Sequence, residues 1–156
     1  MSLADRIVVM NKGKILQIGR PSHVYDDPAD LFVADFVGSP SMNFFDGQVI
    51  RDANSSRFTI DGSDVIISLR RNAKPGPVRL GIRSEYVRVR PKGPIEGQVV
   101  VDEYLGSHRN VYVETNAGRL VMRDRPQNQH PPGQALRLNF DGDHLRLFDS
   151  RTGARI

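Results

Sequence analysis

The period of the hydrophobic positions changes near residue 44. Before it, apolar residues fall in two short runs and one helical face; after it, they alternate with polar residues. Arg6-Ile-Val-Val-Met10 and Lys14-Ile-Leu-Gln-Ile18 are apolar runs separated by Asn11-Lys12-Gly13, a hairpin pattern. Gly19 ends the second run, and Pro21 opens a short helical piece over 22–26. Asp27-Pro28 reads as an N-cap with proline at the first helical position, predicting a helix over 28–37. Ala29, Phe32, Val33, Phe36 and Val37 share its apolar face, and Gly38 ends it. A hairpin and two helices of this size cannot bury a core of their own. They are expected to lie against a larger body, part of it preceding Met1.

Gly38-Ser39-Pro40-Ser41 is a linker, and from Phe44 onward the pattern predicts strands. Val65-Ile-Ile-Ser-Leu69 is a compact apolar run. Val78, Leu80 and Ile82 alternate with arginine and glycine, and Val87 and Val89 with Arg88 and Arg90. Val111 and Val113 flank Tyr112, and Leu136, Leu138 and Phe140 enclose Arg137 and Asn139. A period of two marks strands with one buried face. Asp61-Gly62, Asn116-Ala117-Gly118 and Asp141-Gly142 supply hairpin turns. About nine strands are expected after Phe44, at the ~8–12-residue spacing of a barrel or sandwich. Breaks fall at 91–94 and 125–133; the second is polar and proline-rich and is expected to be an exposed loop. The first is compatible with a division into two β lobes.

The 156 residues suffice for one domain, or for a small domain with an appendage. With no cysteine there is neither a disulfide framework nor thiol chemistry. No apolar run reaches the ~20 residues that cross a bilayer as a helix. A net charge of +4 comes from 22 basic against 18 acidic residues spread along the chain, the pattern of a solvated mixed-charge surface. No Gly-x-x-x-x-Gly-Lys-Ser/Thr loop occurs, no Leu-Ser-Gly-Gly signature, and no apolar strand ending in Asp-Glu. Phosphoryl transfer rests on such positioned groups, so no ATP hydrolysis is expected of these residues and no cofactor or metal site is assigned.

Ala4-Asp5-Arg6-Ile7-Val8-Val9-Met10, Gly13-Lys14-Ile15-Leu16-Gln17-Ile18-Gly19 and Pro21 resemble the end of the nucleotide-binding domain of ABC importers. Val24-Tyr25, Pro28, Phe32-Val33-Ala34, Phe36-Val37-Gly38 and Ser41-Met42-Asn43-Phe44 extend the likeness. The type resembled is the ATPase subunit of maltose, sugar and glycerol-phosphate uptake. Gly81-Ile82-Arg83-Ser84-Glu85, Glu103-Tyr104-Leu105-Gly106, Leu147-Phe148-Asp149 and Thr152-Gly153 carry it to the end. The resemblance implies a mainly β fold, an OB-like, transport-associated regulatory domain (TOBE) preceded by a short β-hairpin and two helices. It implies that residues 1–40 end a nucleotide-binding domain and that 41–156 form the regulatory domain. ATP and magnesium would belong to the parent ATPase. The implied partners are a second copy through the regulatory domain, the parent nucleotide-binding domain, membrane permease subunits and, in some relatives, a signalling protein or small ligand. The implied location is cytoplasmic, at the inner face of the membrane.

His23, His108, His130 and His144 are far apart in sequence and form no ligand pair, so they read as surface or capping residues. Asp26, Asp27 and Asp30 are better explained by helix capping than by a cation. Arg79, Arg83, Arg88 and Arg90 alternate with apolar residues, predicting an exposed basic strand face paired with Glu85, Glu96, Asp102 or Glu103. OB folds that bind nucleic acid add stacking aromatics, and only Tyr86 is near, which disfavours that partner. The candidate contact residues are therefore Gly81, Arg83, Glu85, Glu103 and Gly106. The resemblance implies that they meet a second copy, with Arg83 facing a carboxylate across the two-fold axis; a tight turn and bulge serving only the fold is the alternative. Ser84 stands where the resembled family has proline. Two other functional classes remain open: a small oxyanion-binding OB protein and an RNA-binding one.

Overall fold

The structure is a computed structural model that describes residues 4–53 and 55–156. Strands dominate it, in the order β1 Ile7–Asn11, β2 Lys14–Gly19, α1 Pro21–Asp26, α2 Leu31–Phe36, β3 Asn43–Arg51, β4 Ser56–Ile60, β5 Ile66–Leu69, β6 Gly76–Ile82, β7 Val87–Val89, β8 Ile95–Tyr104, β9 Arg109–Thr115, β10 Gly118–Asp124, β11 Ala135–Phe140 and β12 Arg146–Asp149. The mainly β class expected from the alternation holds, and ten strands follow the linker among the described residues.

β1 and β2 pair as the expected hairpin, turning at Lys12 and Gly13, both with positive φ (48° and 78°). The alternation of this ribbon has a physical outcome. Val9 is buried with Val24 and Val33, whereas Val8, Met10, Ile15 and Ile18 are exposed. α2 begins later than its sequence suggests. Its N-cap is Asp30, whose carboxylate accepts from the Val33 N–H at 2.8 Å, and Asp27 instead ends α1. The C-terminal residues hold 29–31 extended: Leu31 N–H donates to the Gly153 carbonyl and Arg155 N–H to the Ala29 carbonyl, both at 2.9 Å. The buried positions of α2 are Val33 and Ala34. Phe32 and Phe36, expected on the inner face, stack on each other at 5.7 Å, with Phe36 69% exposed.

The remaining strands form two antiparallel five-stranded sheets, ordered β12-β6-β3-β4-β5 and β10-β9-β8-β11-β7. They enclose one apolar core. Phe45, Phe58, Leu80 and Ile82 come from the first sheet; Ile95, Val111, Val113, Leu120 and Leu138 from the second. The 91–94 break lies between β7 and β8, two strands of the same sheet that flank β11. Asp141-Gly142 is not a hairpin turn. It leads into a single 3₁₀ turn, Gly142–His144, because β11 and β12 belong to different sheets. A third buried group, Ala34, Met42 and Phe148, ties α2 to the β module, with Phe44 meeting Phe148 edge-on at 6.0 Å.

Candidate functional site

β6 ends at Ile82, and a 3₁₀ turn over Ser84–Tyr86 aims the next side chains at the helices. Arg83 is 2% exposed and is not on a basic surface. Its Nη1 donates to the carbonyls of Ala34 (2.9 Å) and Val37 (2.6 Å), its Nη2 to that of Tyr25 (3.1 Å). These acceptors lie at the C-terminal ends of α1 and α2, where carbonyls lack helical partners and the dipole favours a cation. The guanidinium carbon also lies 4.2 Å from the centroid of the Tyr25 ring. The Tyr25 hydroxyl donates to Glu85 Oε1 at 2.5 Å, and Ser84 Oγ donates to Glu85 Oε2 at 3.2 Å. Burial pushes the Tyr25 hydroxyl well above its ordinary pKa, helped by the Glu85 carboxylate. Burial draws the Arg83 pKa down, against the pull of Tyr25 and Glu85; a guanidinium nonetheless stays protonated.

The geometry corrects the expected role of Arg83. Its hydrogen-bonding groups point into its own chain, so the charge pair expected across a two-fold axis is not available to it. Gly81 is equally internal: a Cβ there would lie 2.5 Å from Met42 Sδ and 3.0 Å from Phe148. Arg79 and Arg88 also bond elsewhere than the predicted carboxylates. Arg79 forms a two-pronged bond to Asp46 across β3–β6 (2.6 and 2.8 Å), and Arg88 bonds the Glu85 backbone carbonyl. Freedom from the prolyl ring gives Ser84 a buried hydroxyl for Glu85.

Glu103 and Gly106 sit apart from this joint, at the exposed end of the β8–β9 hairpin. No hydrogen bond or ion pair among the described residues connects them to 81–85. Gly106 turns the chain with φ +78° in open space, and the Leu105 N–H donates to the His108 carbonyl at 2.9 Å. Val101, Tyr104 and Leu105 are 47%, 61% and 46% exposed. A cluster absent from the sequence reading underlies this tip. Asp102 Oδ1 accepts from Arg109 Nε at 2.7 Å and Oδ2 from the His130 N–H at 2.9 Å. His130 Nε2 lies 2.8 Å from Asp124 Oδ2, and the Arg109 guanidinium sits over the Tyr104 ring at 5.3 Å. His130 is buried, not a surface residue of an open loop. Burial raises the Asp102 carboxyl, but the Arg109 and His130 bonds overcome it and leave the pKa below the ordinary value. No group of acidic or histidine side chains suited to a metal occurs among the described residues.

The β module is thus two facing sheets docked to a helical segment through Arg83 and its partners. The MalK OB fold domain matches residues 38–87 and the TOBE domain residues 80–148. The chain is 34% identical over 165 residues to the sn-glycerol-3-phosphate import ATP-binding protein UgpC of Psychromonas ingrahamii. It is 38% identical over 160 residues to UgpC of Chromobacterium violaceum. An uncharacterised ABC transporter ATP-binding protein of Sinorhizobium fredii, y4oS, is 39% identical over 166 residues. Each alignment covers all of this chain but only 42–43% of the relative. Among solved structures, the molybdate-bound cytoplasmic protein ModG superposes with a TM-score of 0.52 at 16% identity, over 67% of this chain and 94% of that one, a likeness of fold. The chain carries a MalK OB fold domain followed by a TOBE domain and matches the C-terminal part of sugar-type ABC importer ATP-binding subunits.

Proposed function

We propose that this chain works as the regulatory and dimerisation part of the ATP-binding subunit of a carbohydrate- or glycerol-phosphate-type importer, without hydrolysing ATP through its own residues. The observation that carries the reading is similarity along the whole of this chain to part of UgpC, combined with an appendage apolar on both faces. Val9, Val24 and Val33 serve the face turned inward; Val8, Met10, Ile15 and Ile18 offer the other to a neighbouring body such as a nucleotide-binding domain. The parent subunit would bind ATP and magnesium, sit at the cytoplasmic face of the membrane and contact permease subunits. No helix among the described residues is long and apolar enough to cross a membrane itself.

A chimera tests this. Residues 4–156 replace the matching part of C. violaceum UgpC, and ATP hydrolysis is measured with and without that importer's permease. Permease-stimulated hydrolysis by the folded chimera is the expected result. A folded chimera that hydrolyses ATP but ignores the permease overturns the regulatory reading, and hydrolysis by the chain alone overturns its non-catalytic part.

A further inference from the structure

We infer that Arg83, Tyr25 and Glu85 form a latch that makes the helical segment and the β module move as one body. Arg83 is the positioning residue at its centre. Three backbone carbonyls from the ends of two helices converge on one side chain that the β6 strand delivers. Tyr25 closes the loop of contacts by stacking on that side chain and bonding Glu85, two residues further along the β module. The latch spans the linker, the place where the two parts would otherwise bend.

Gly38, in that linker, shows how little room the latch leaves. It adopts φ +115°, and a Cβ on it would lie 3.0 Å from both Arg83 Nη1 and the Tyr25 ring. A glycine is required there on both counts. The Ala34-Met42-Phe148 contact and the C-terminal bridge to Ala29 and Leu31 attach α2, and Arg146 on β12 donates to the Asp26 carbonyl at the end of α1 at 2.7 Å. Among the described residues, Arg83 is the side chain that bonds carbonyls at the C-terminal ends of both helices. Losing it leaves three carbonyls without this donor, in a place water reaches poorly, so the cheapest relief is for 21–38 to swing outward.

Hydrogen exchange on the whole chain, resolved by peptide, tests the latch. Arg83→Met keeps much of the side chain's apolar bulk and removes its donors. The expected result is exchange roughly 10- to 100-fold faster over 21–38, the loss expected for hydrogen bonds to a charged group, with 109–124 unchanged. Tyr25→Phe is the milder probe and serves if Arg83→Met does not fold; Gly38→Ala perturbs the same joint through the linker backbone. Each is expected to accelerate 21–38 selectively. Unchanged exchange over 21–38, or equal acceleration of both regions, overturns the inference. The experiment uses neither nucleotide nor permease, so its outcome is independent of the importer assignment.

Discussion

Asn43, the first residue of β3, bonds both backbone groups of Val121 on β10, an edge strand of the opposite sheet. Its Oδ1 accepts from the Val121 N–H at 2.8 Å, and its Nδ2 donates to the Val121 carbonyl at 2.9 Å. The same Nδ2 lies 3.2 Å from the Ile82 carbonyl on β6. One amide side chain thereby imitates a strand and joins the two sheets beside their shared apolar core. It also occupies part of an edge that would be open to intermolecular pairing.

Replacing Asn43 by leucine should therefore cost more than an ordinary surface change. The apolar side chain cannot satisfy the Val121 N–H, and a buried donor left unpaired costs ~1–3 kcal/mol. Urea unfolding should show the midpoint lowered by about that free energy. An unchanged midpoint would show that water replaces the side chain without loss.

Two glycines should respond oppositely in cause and size. At Gly93 a Cβ would lie 2.2 Å from the Leu138 carbonyl oxygen, so Gly93→Ala must push β7–β8 off β11. A loss of ~2 kcal/mol or more is expected, as for overpacking against backbone. Gly106 has open space around it and only its φ of +78° to defend. Gly106→Ala should cost ~1 kcal/mol, the price of a left-handed alanine. Denaturant midpoints of the two variants, measured side by side, check the order; equal losses would place the strain elsewhere.

The hairpin and the alternating strands were legible because each is written in local pattern, as at Val78, Leu80 and Ile82. Three features were not, and each depends on distant residues. Asp27 and Asp30 are both competent N-caps by sequence; the pairing of Ala29 and Leu31 with 153–155 decides for Asp30. Arg83 fits the alternation of an exposed face, but the 3₁₀ turn after β6 buries it beneath helices some 50 residues earlier in sequence. His130 sits in a polar, proline-rich stretch, and only Asp102 and Asp124, brought together by β8 and β10, make it internal. Of the proposed contact residues, Gly81 and Arg83 prove internal, while Glu103 and Gly106 lie at an exposed tip.

Acid should weaken the chain through Asp102. Its pKa in the folded state lies below the ordinary carboxylate value near 3.9. A depressed carboxyl pKa adds stability that is complete above the unfolded value and is lost as pH falls through the folded one. Stability owed to this residue should thus be level from about pH 5 upward and decline below about pH 4. Asp102→Asn should be less stable than the parent at pH 7, and the gap should narrow as pH falls below the ordinary carboxylate range and through the lowered folded-state value. Unfolding free energies measured across that range check the slope; a constant gap would assign the loss to packing alone.

With Arg83 and Gly81 inside the chain and the half-buried Glu85 carboxylate engaged by Tyr25 and Ser84, the exposed positions among those proposed for a contact between two copies are at the β8–β9 tip. Glu103 lies there, opposite Asn110 in the ladder, beside the exposed Val101, Tyr104 and Leu105. An aromatic and two aliphatic side chains next to one carboxylate suit a small isologous interface, with a backbone tip held firm by the Asp102–Arg109 pair. Without further contacts such a patch supports a dissociation constant no tighter than micromolar, ~8 kcal/mol. Glu103→Arg should move sedimentation toward monomer while changing the unfolding free energy by less than ~1 kcal/mol, as a surface charge change does. A parent chain that stays monomeric at millimolar concentration would sink the dimer. A dimer indifferent to Glu103→Arg would place its interface away from this tip.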